Sequence, residues 1–281
     1  YKKDVPISSA QVSVLTPRGT VYLEPSGQPG HYILQYADYY PGRYSLEVSA
    51  GDDWVSGTVA SSPDLHEIKY PIADQHQDPY TDLVVVWERQ EESPQVKVSA
   101  EGFISGKDGP EAQDSGRYTI PGEFLEPGVW EKITVTRSRT IAVQGGVEGS
   151  YFTLSISRSV YPIYIDEISF SQHIQPILDR SCALFGCHLS PYPPADLDLS
   201  ESASYPSLLT AAVEVDMMRV RPERPEESYL WHKIMGELQE LVSLVRPGQV
   251  IGQRMPLEGE ALNIKDLKKI EGWIEEGAKE N

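Results

Sequence analysis

The chain has 281 residues, with 24 Lys and Arg against 42 Asp and Glu, for a formal charge of −18. Such an acid excess argues against nucleic acid and against an anionic membrane surface as partners, and favours basic partners, cations or plain solubility. No apolar run approaches the roughly 18 residues of a membrane span, so no membrane span is expected in this chain.

The length suits two or three domains, each burying its own core, and three are expected. The sequence starts at Tyr1 without a visible signal peptide, which reads as a processed mature form or a fragment.

From Ala10 to about Tyr70 the period is two: Ala10, Val12 and Val14 alternate with Gln11 and Ser13, and Tyr44, Leu46 and Val48 with Ser45 and Glu47. Pro17-Arg18-Gly19, Pro25-Ser26-Gly27, Pro29-Gly30, Pro41-Gly42 and Gly51-Asp52-Asp53 punctuate these runs at the spacing of a small antiparallel sandwich. A first β module is therefore expected over 1–75. The phrases Pro29-Gly30-His31-Tyr32 and Pro41-Gly42-Arg43-Tyr44-Ser45-Leu46 resemble accessory β-sandwich domains of exported bacterial proteins.

A second β module is expected over 76–166, with strands at 83–87, 95–100, 117–120, 131–136, 140–143 and 151–158. Trp87 and Trp130 read as core anchors, 102–116 as a solvated mobile loop, and Pro162 as the approach to a linker. The acidic clusters Asp52-Asp53, Asp74/Asp78/Asp82 and Asp196/Asp198/Glu201 lack the spacing and glycine of a calcium loop and read as solvated. His31, His66 and His76 belong to no motif.

At Ile168 the period changes to about 3.6, with Ser169 or Ser171 as the cap of a helix whose face is Ile174, Ile177 and Leu178. That helix delivers Cys182, the start of Cys182-Ala183-Leu184-Phe185-Gly186-Cys187-His188, which holds the only two cysteines of the chain. Two thiols can add to the two vinyl groups of a haem, and a histidine directly after the second can ligate its iron; the usual spacing has two residues between the cysteines, here four. A local disulfide, half of a zinc site and two ordinary thiols remain open alternatives. A carbonyl in the proline-rich stretch 189–194 is expected to fix the imidazole tautomer.

A further helix is expected after Pro225, with Tyr229, Leu230 and Ile234 on its core face and His232 as an alternative axial ligand. The Gly/Pro loop Gly252-Gln253-Arg254-Met255-Pro256 offers a soft thioether. The last helix has Asn263 as N-cap, an apolar face of Ile264, Leu267, Ile270, Trp273 and Ile274, and a stop at Gly277.

Phe170-Ser171-Gln172-His173-Ile174-Gln175-Pro176-Ile177-Leu178, the Cys/His motif, Ala195-Asp196-Leu197-Asp198-Leu199, Arg254-Met255-Pro256 and 270–278 together resemble planctomycete-type cytochrome c domains, in order over about 110 residues. The resemblance implies an all-α cytochrome c domain over 167–281 behind two N-terminal immunoglobulin- or transthyretin-like sandwiches. It also implies one covalent haem c, with thioethers from Cys182 and Cys187 and axial ligands His188 and Met255; Met217, Met218, Met235 and His173 stand in reserve. The wider cysteine spacing and the long insert 237–250 depart from the family pattern.

No acid/base pair, nucleophile triad or phosphate loop is visible. The expected function is electron transfer by an exported protein, periplasmic, envelope-attached or extracellular, docking redox partners and belonging to a larger membrane complex or filament. Two other classes stay in view: a structural or adhesive β-rich subunit in which haem is secondary, and a haem enzyme or sensor with a displaceable distal ligand.

Overall fold

A computed structural model of the chain describes residues 9–28, 32–33, 39–64, 66–90, 95–102, 107–108, 112–146, 148–189, 191–257 and 259–281. Two compact units emerge: Tyr1–Gln75, Val84–Ile120 and Glu131–Ile163 form the first, and His76–Leu83, Pro121–Trp130 and Tyr164–Asn281 the second. The phrase Pro29-Gly30-His31 and much of 102–116 lie outside the described residues.

The first unit is rich in β-sheet. Strands β1 (Gln11–Thr16), β2 (Gly19–Pro25), β3 (Tyr32–Ile33), β4 (Tyr44–Ala50) and β5 (Asp53–Val59) make a sheet in the order β3-β2-β1-β4-β5. Its register opposes Val12 to Val48 and Val14 to Leu46, so the apolar set of each strand falls on one face. The expected turns sit at Thr16/Gly19 and Ala50/Asp53, where Gly19 and Gly51 take positive φ of 131° and 63°.

Strands β6 (Ile68–Tyr70), β8 (Leu83–Trp87) and β12 (Arg117–Ile120) form a second sheet in the order β12-β8-β6. A third takes the order β10-β9-β13-β14-β7, with β7 (Gln75–Gln77), β9 (Gln95–Gly102), β10 (Lys107–Asp108), β13 (Trp130–Ala142) and β14 (Tyr151–Ile165), while β11 (Ala112–Gln113) also pairs with β9. Buried residues alternate in β8 (Leu83, Val85 and Trp87) and β9 (Val96, Val98 and Ala100), whereas β13 buries Ile133, Thr134 and Val135 in succession.

Four expectations are corrected here. The runs 131–136 and 140–143 belong to one continuous strand, because the turn residues that would part them are missing and Ser138 and Arg139 stay extended. Trp130 is 39% exposed, since it starts β13 at the sheet margin. Pro162 lies inside β14, where its carbonyl accepts from Asp74 N at 2.8 Å and its missing N–H leaves no donor unpaired. Within 102–116, the pieces 107–108 and 112–113 pair with β9, and Asp114 is buried.

Asp114 closes the only charge pair of this unit that is buried at both ends among the described residues. Its carboxylate meets Arg137 Nη2 at 2.7 Å and Nε at 2.9 Å, and also accepts from Trp87 Nε1, Gly116 N and Gln90 N at 2.8, 3.1 and 3.0 Å. Arg137, on β13, donates further to the carbonyls of Asp64 and Glu88, tying the three-stranded sheet to the six-stranded one.

His66 is buried nearby and donates from Nε2 to the Val135 carbonyl at 3.1 Å. Burial, with the Arg137 cation second, holds its pKa below the usual histidine value. The unfolded chain therefore binds a proton that the folded one refuses as pH falls below about 6.5, and stability drops with it. Denaturant melts across that range should show this decline, and His66→Gln, which retains a donor for Val135, should flatten part of it; an unchanged slope would remove His66 from the effect.

The second unit is organised by short helices. Ser169 caps a π-helical turn (Phe170–Ile174), its hydroxyl accepting from Gln172 N, and the chain continues as α1 (Gln175–Ser181) with Pro176 in the first turn, where no amide hydrogen is needed. Next come α2 (Ser204–Leu208), α3 (Tyr229–Met235) and α4 (Ile264–Glu275). Ile174, Ile177 and Leu178 pack with Phe170, Leu199, Leu208, Ile234, Ile270, Trp273 and Ile274 in one core.

Asn263 caps α4 as expected, accepting from Asp266 N at 3.0 Å, and Gly277 ends it at φ 96°. Ile264 is 66% exposed, because the first turn of α4 projects beyond the core that Ile270 and Trp273 reach. Asn263→Ala should cost about 1 kcal/mol, read as faster amide exchange in the first turn of α4.

The insert 237–250 is not a slack loop. Its 3-10 segment Gln239–Leu244 buries Leu238 and Leu241 against Ala212, Val215 and Tyr229, and Arg246 N bonds the Glu214 carbonyl at 2.9 Å.

Candidate functional site

The Cys/His heptapeptide forms a closed loop at the end of α1. Cys182 N and Ala183 N both donate to the Leu178 carbonyl, at 2.8 and 2.7 Å, which finishes the helix and turns the Cys182 side chain into the core. The intervening residues make a turn, Cys187 N to Leu184 O at 2.9 Å, with Gly186 at φ 81°. His188 N then returns to the Cys182 carbonyl at 3.2 Å. Four residues between the cysteines are thus accommodated by a turn that pushes Phe185 out to 93% exposure.

Both thiols are free; Cys182 is buried and Cys187 exposed. Burial, then the neighbouring Cys187, pushes the Cys182 thiol up to about 11.

His188 Nδ1 lies 3.1 Å from the Leu197 carbonyl. A carbonyl only accepts, so Nδ1 carries the hydrogen and Nε2 keeps its lone pair. The partner is three residues beyond the expected stretch 189–194, because the chain bends back at Ala195 and Asp196, both at positive φ of 56° and 54°. Arg219 holds that bend by donating to the Ala195 carbonyl at 2.6 Å, and anchors itself on Ser207 O and Thr210 Oγ1. Burial is the main reason the His188 pKa lies below the usual value, and it keeps the imidazole neutral and ligand-ready at pH 7.

Met255 lines the same cleft from the 252–256 loop. Its N–H donates to the Lys233 carbonyl at 2.8 Å, and the Arg254 stem lies against Gly236, where a Cβ would stand 2.9 Å from Arg254 Cδ. Gly236 is the left-handed C-cap of α3, φ 85°, so glycine serves both the helix end and the close approach.

These elements surround a cleft of about 520 Å³ whose lining includes Cys182, Cys187, His188, Pro194 and Met255. A smaller hollow of about 100 Å³ shares Cys182, His188, Pro194 and Met255 and is otherwise lined mainly by Leu197, Leu199, Leu208, Leu230 and Ile234, with Glu214, Arg219 and Lys233 at its polar side. The larger volume falls within the ordinary range for cofactor sites.

The donor set suits a covalently held haem. Two thiols, an imidazole with a free Nε2 and a thioether line the same cleft, whose walls also include Arg180, Glu260, Asn263 and Asp266, and the adjoining hollow is mainly apolar. Among the described residues, no group of three or more His, Cys, Asp or Glu is arranged to hold a metal ion, so nothing completes the zinc half-site considered from sequence.

The alternative ligands are placed elsewhere. His232 Nε2 bonds the Glu226 carbonyl at 2.9 Å, and His173 Nδ1 accepts from Ser169 N at 2.8 Å. Met217 packs against the insert cluster, and Met218 and Met235 are 37% and 39% exposed. None of the five lines the cleft or the hollow.

No family model matches the chain, and no curated protein does. Among solved structures, the crystal structure of DIP-gamma IG1+IG2 corresponds to 57% of this chain and 84% of that one, at 10% identity and a TM-score of 0.21. A correspondence that shallow assigns neither fold nor function.

Sequence reasoning missed Leu197 O, Arg219 and Lys233. The first is main chain and leaves no residue-type signal, and the two cations sit in stretches whose motifs concern other residues.

Proposed function

We propose that the second unit is a mono-haem c-type cytochrome domain of the planctomycete type, and that the chain transfers single electrons through that group. The observation that carries the reading is the convergence of Cys182, Cys187, His188 and Met255 on one cleft. Each thiol would add across one vinyl group, its hydrogen going to the other vinyl carbon, so attachment consumes no oxidant. His188 Nε2 and the Met255 sulfur would hold the iron, and the haem, when bound, would supply a one-electron couple whose potential a His/Met pair raises relative to two histidines.

With His188 and Met255 both holding the group, the chain would act as a carrier instead of an enzyme. Leu197 O holds the His188 tautomer in place. The first unit is read as two sandwiches of immunoglobulin or transthyretin type, presenting the cytochrome within a larger exported assembly, where redox proteins are its partners.

The test is an absorption spectrum of the full chain produced with intact haem-ligation machinery. A reversible c-type α-band on reduction supports the reading, and a chain that matures without one overturns it.

A further inference from the structure

The methionine loop is tied to α3 at two residues: the Tyr229 hydroxyl donates to the Ile251 carbonyl at 3.2 Å, and Lys233 makes the remaining bonds. Lys233 is 8% exposed, and its Nζ donates to the carbonyls of Ile251 and Gln253 at 3.0 and 2.6 Å, while its own carbonyl receives Met255 N–H at 2.8 Å. The loop between those two carbonyls passes close to the ammonium: Gly252 has φ 71°, and a Cβ there would stand 3.3 Å from Lys233 Nζ. Lys233 also lines the apolar hollow that Met255 and His188 share.

A buried ammonium is costly unless its donors are satisfied, and charge-assisted bonds to two carbonyls are among the stronger ways to do so. Both carbonyls flank the same glycine, so the ammonium fixes the curvature of 251–253 in a way that one neutral hydrogen bond cannot. An apolar side chain at 233 would fill the space but leave Gln253 O without this donor and Ile251 O with the Tyr229 hydroxyl alone. Lys233 stands in the last turn of α3, where a cation also complements the helix carbonyls.

We propose that Lys233 is the positioning residue for Met255, clamping the 251–255 loop through its ammonium and its carbonyl so that the thioether is held at the cleft that His188 also lines. The proposal rests on the haem reading given above.

The test compares the full chain with Lys233→Leu, Lys233→Arg and Gly252→Ala, all produced with haem-ligation machinery. Leucine is chosen over methionine so that no second thioether enters the hollow. On each protein, intact mass counts covalent haem, the far-red sulfur-to-iron band of the oxidised form reports Met255, and amide exchange reads the Met255 N–H.

Lys233→Leu should keep one covalent haem, lose the far-red band, bind carbon monoxide when reduced, and exchange the Met255 amide about tenfold faster or more, with Ile270–Ile274 still protected. Lys233→Arg should restore the band at least in part. A Lys233→Leu protein with the wild-type band and wild-type exchange overturns the proposal and leaves covalent haem standing. If that variant loses protection throughout the unit, Gly252→Ala decides: loss of the band with α4 protected supports the clamp, and an unchanged band overturns it. Wild-type protein with haem but no far-red band would remove Met255 and the clamp alone, whereas wild-type protein without haem would remove both readings.

Discussion

Asp114→Ala should destabilise the β-rich unit by about 3–5 kcal/mol, a large share of the roughly 5–15 kcal/mol that holds a typical domain folded. The substitution removes the carboxylate paired with Arg137, whose side chain is 1% exposed, and strands its cation in the interior. It also strips the acceptor from Trp87 Nε1, Gly116 N and Gln90 N. Desolvated donors left without partners carry most of the penalty. Urea unfolding followed by tryptophan fluorescence should show the loss. The double variant Asp114→Leu/Arg137→Met should recover only the share due to the stranded guanidinium, because Trp87 Nε1, Gly116 N and Gln90 N still lack their acceptor. A single variant within about 1 kcal/mol of wild type would mean that water reaches Arg137 and the pair is not buried in solution.

Met255→Ala should retain covalent haem and lower the reduction potential by on the order of 100 mV, a modest part of the roughly 0.8 V that axial ligation spans. The reason is chemical: the thioether is a soft ligand that favours the ferrous state, and its loss leaves the site to water or to nothing. None of the reserve ligands lines the cleft, His232 being held on Glu226 O and Met217 in the insert cluster. The far-red band should vanish and the reduced protein should bind carbon monoxide without denaturation. An unchanged potential and spectrum would exclude Met255 as a ligand.

Much of this architecture is written locally in the chain. Strands β8 and β12 fall on the expected residues because alternation and turn residues bound them, and α4 begins at Asn263 because a cap side chain is a local device. The site is legible for the same reason: Cys182, Cys187 and His188 announce themselves by type and spacing, and Met255 by its Gly/Pro loop.

What escaped was long-range. Asp114 stands in a Gly/Asp/Ser stretch that reads as solvated, yet it is 4% exposed because Arg137, far along the chain, needs a counter-charge. Ile264 and Trp130 look apolar enough for a core but sit where their elements outrun it. Lys233 carries no motif; only the fold shows that its ammonium is aimed at the loop that bears Met255.

The central claim is tested most directly by the mass of tryptic peptide 181–219 from chain matured with haem-ligation machinery. One haem added to that peptide, bonded through both Cys182 and Cys187, is the predicted result. The same peptide recovered with two free thiols, or with a Cys182–Cys187 disulfide, would contradict it.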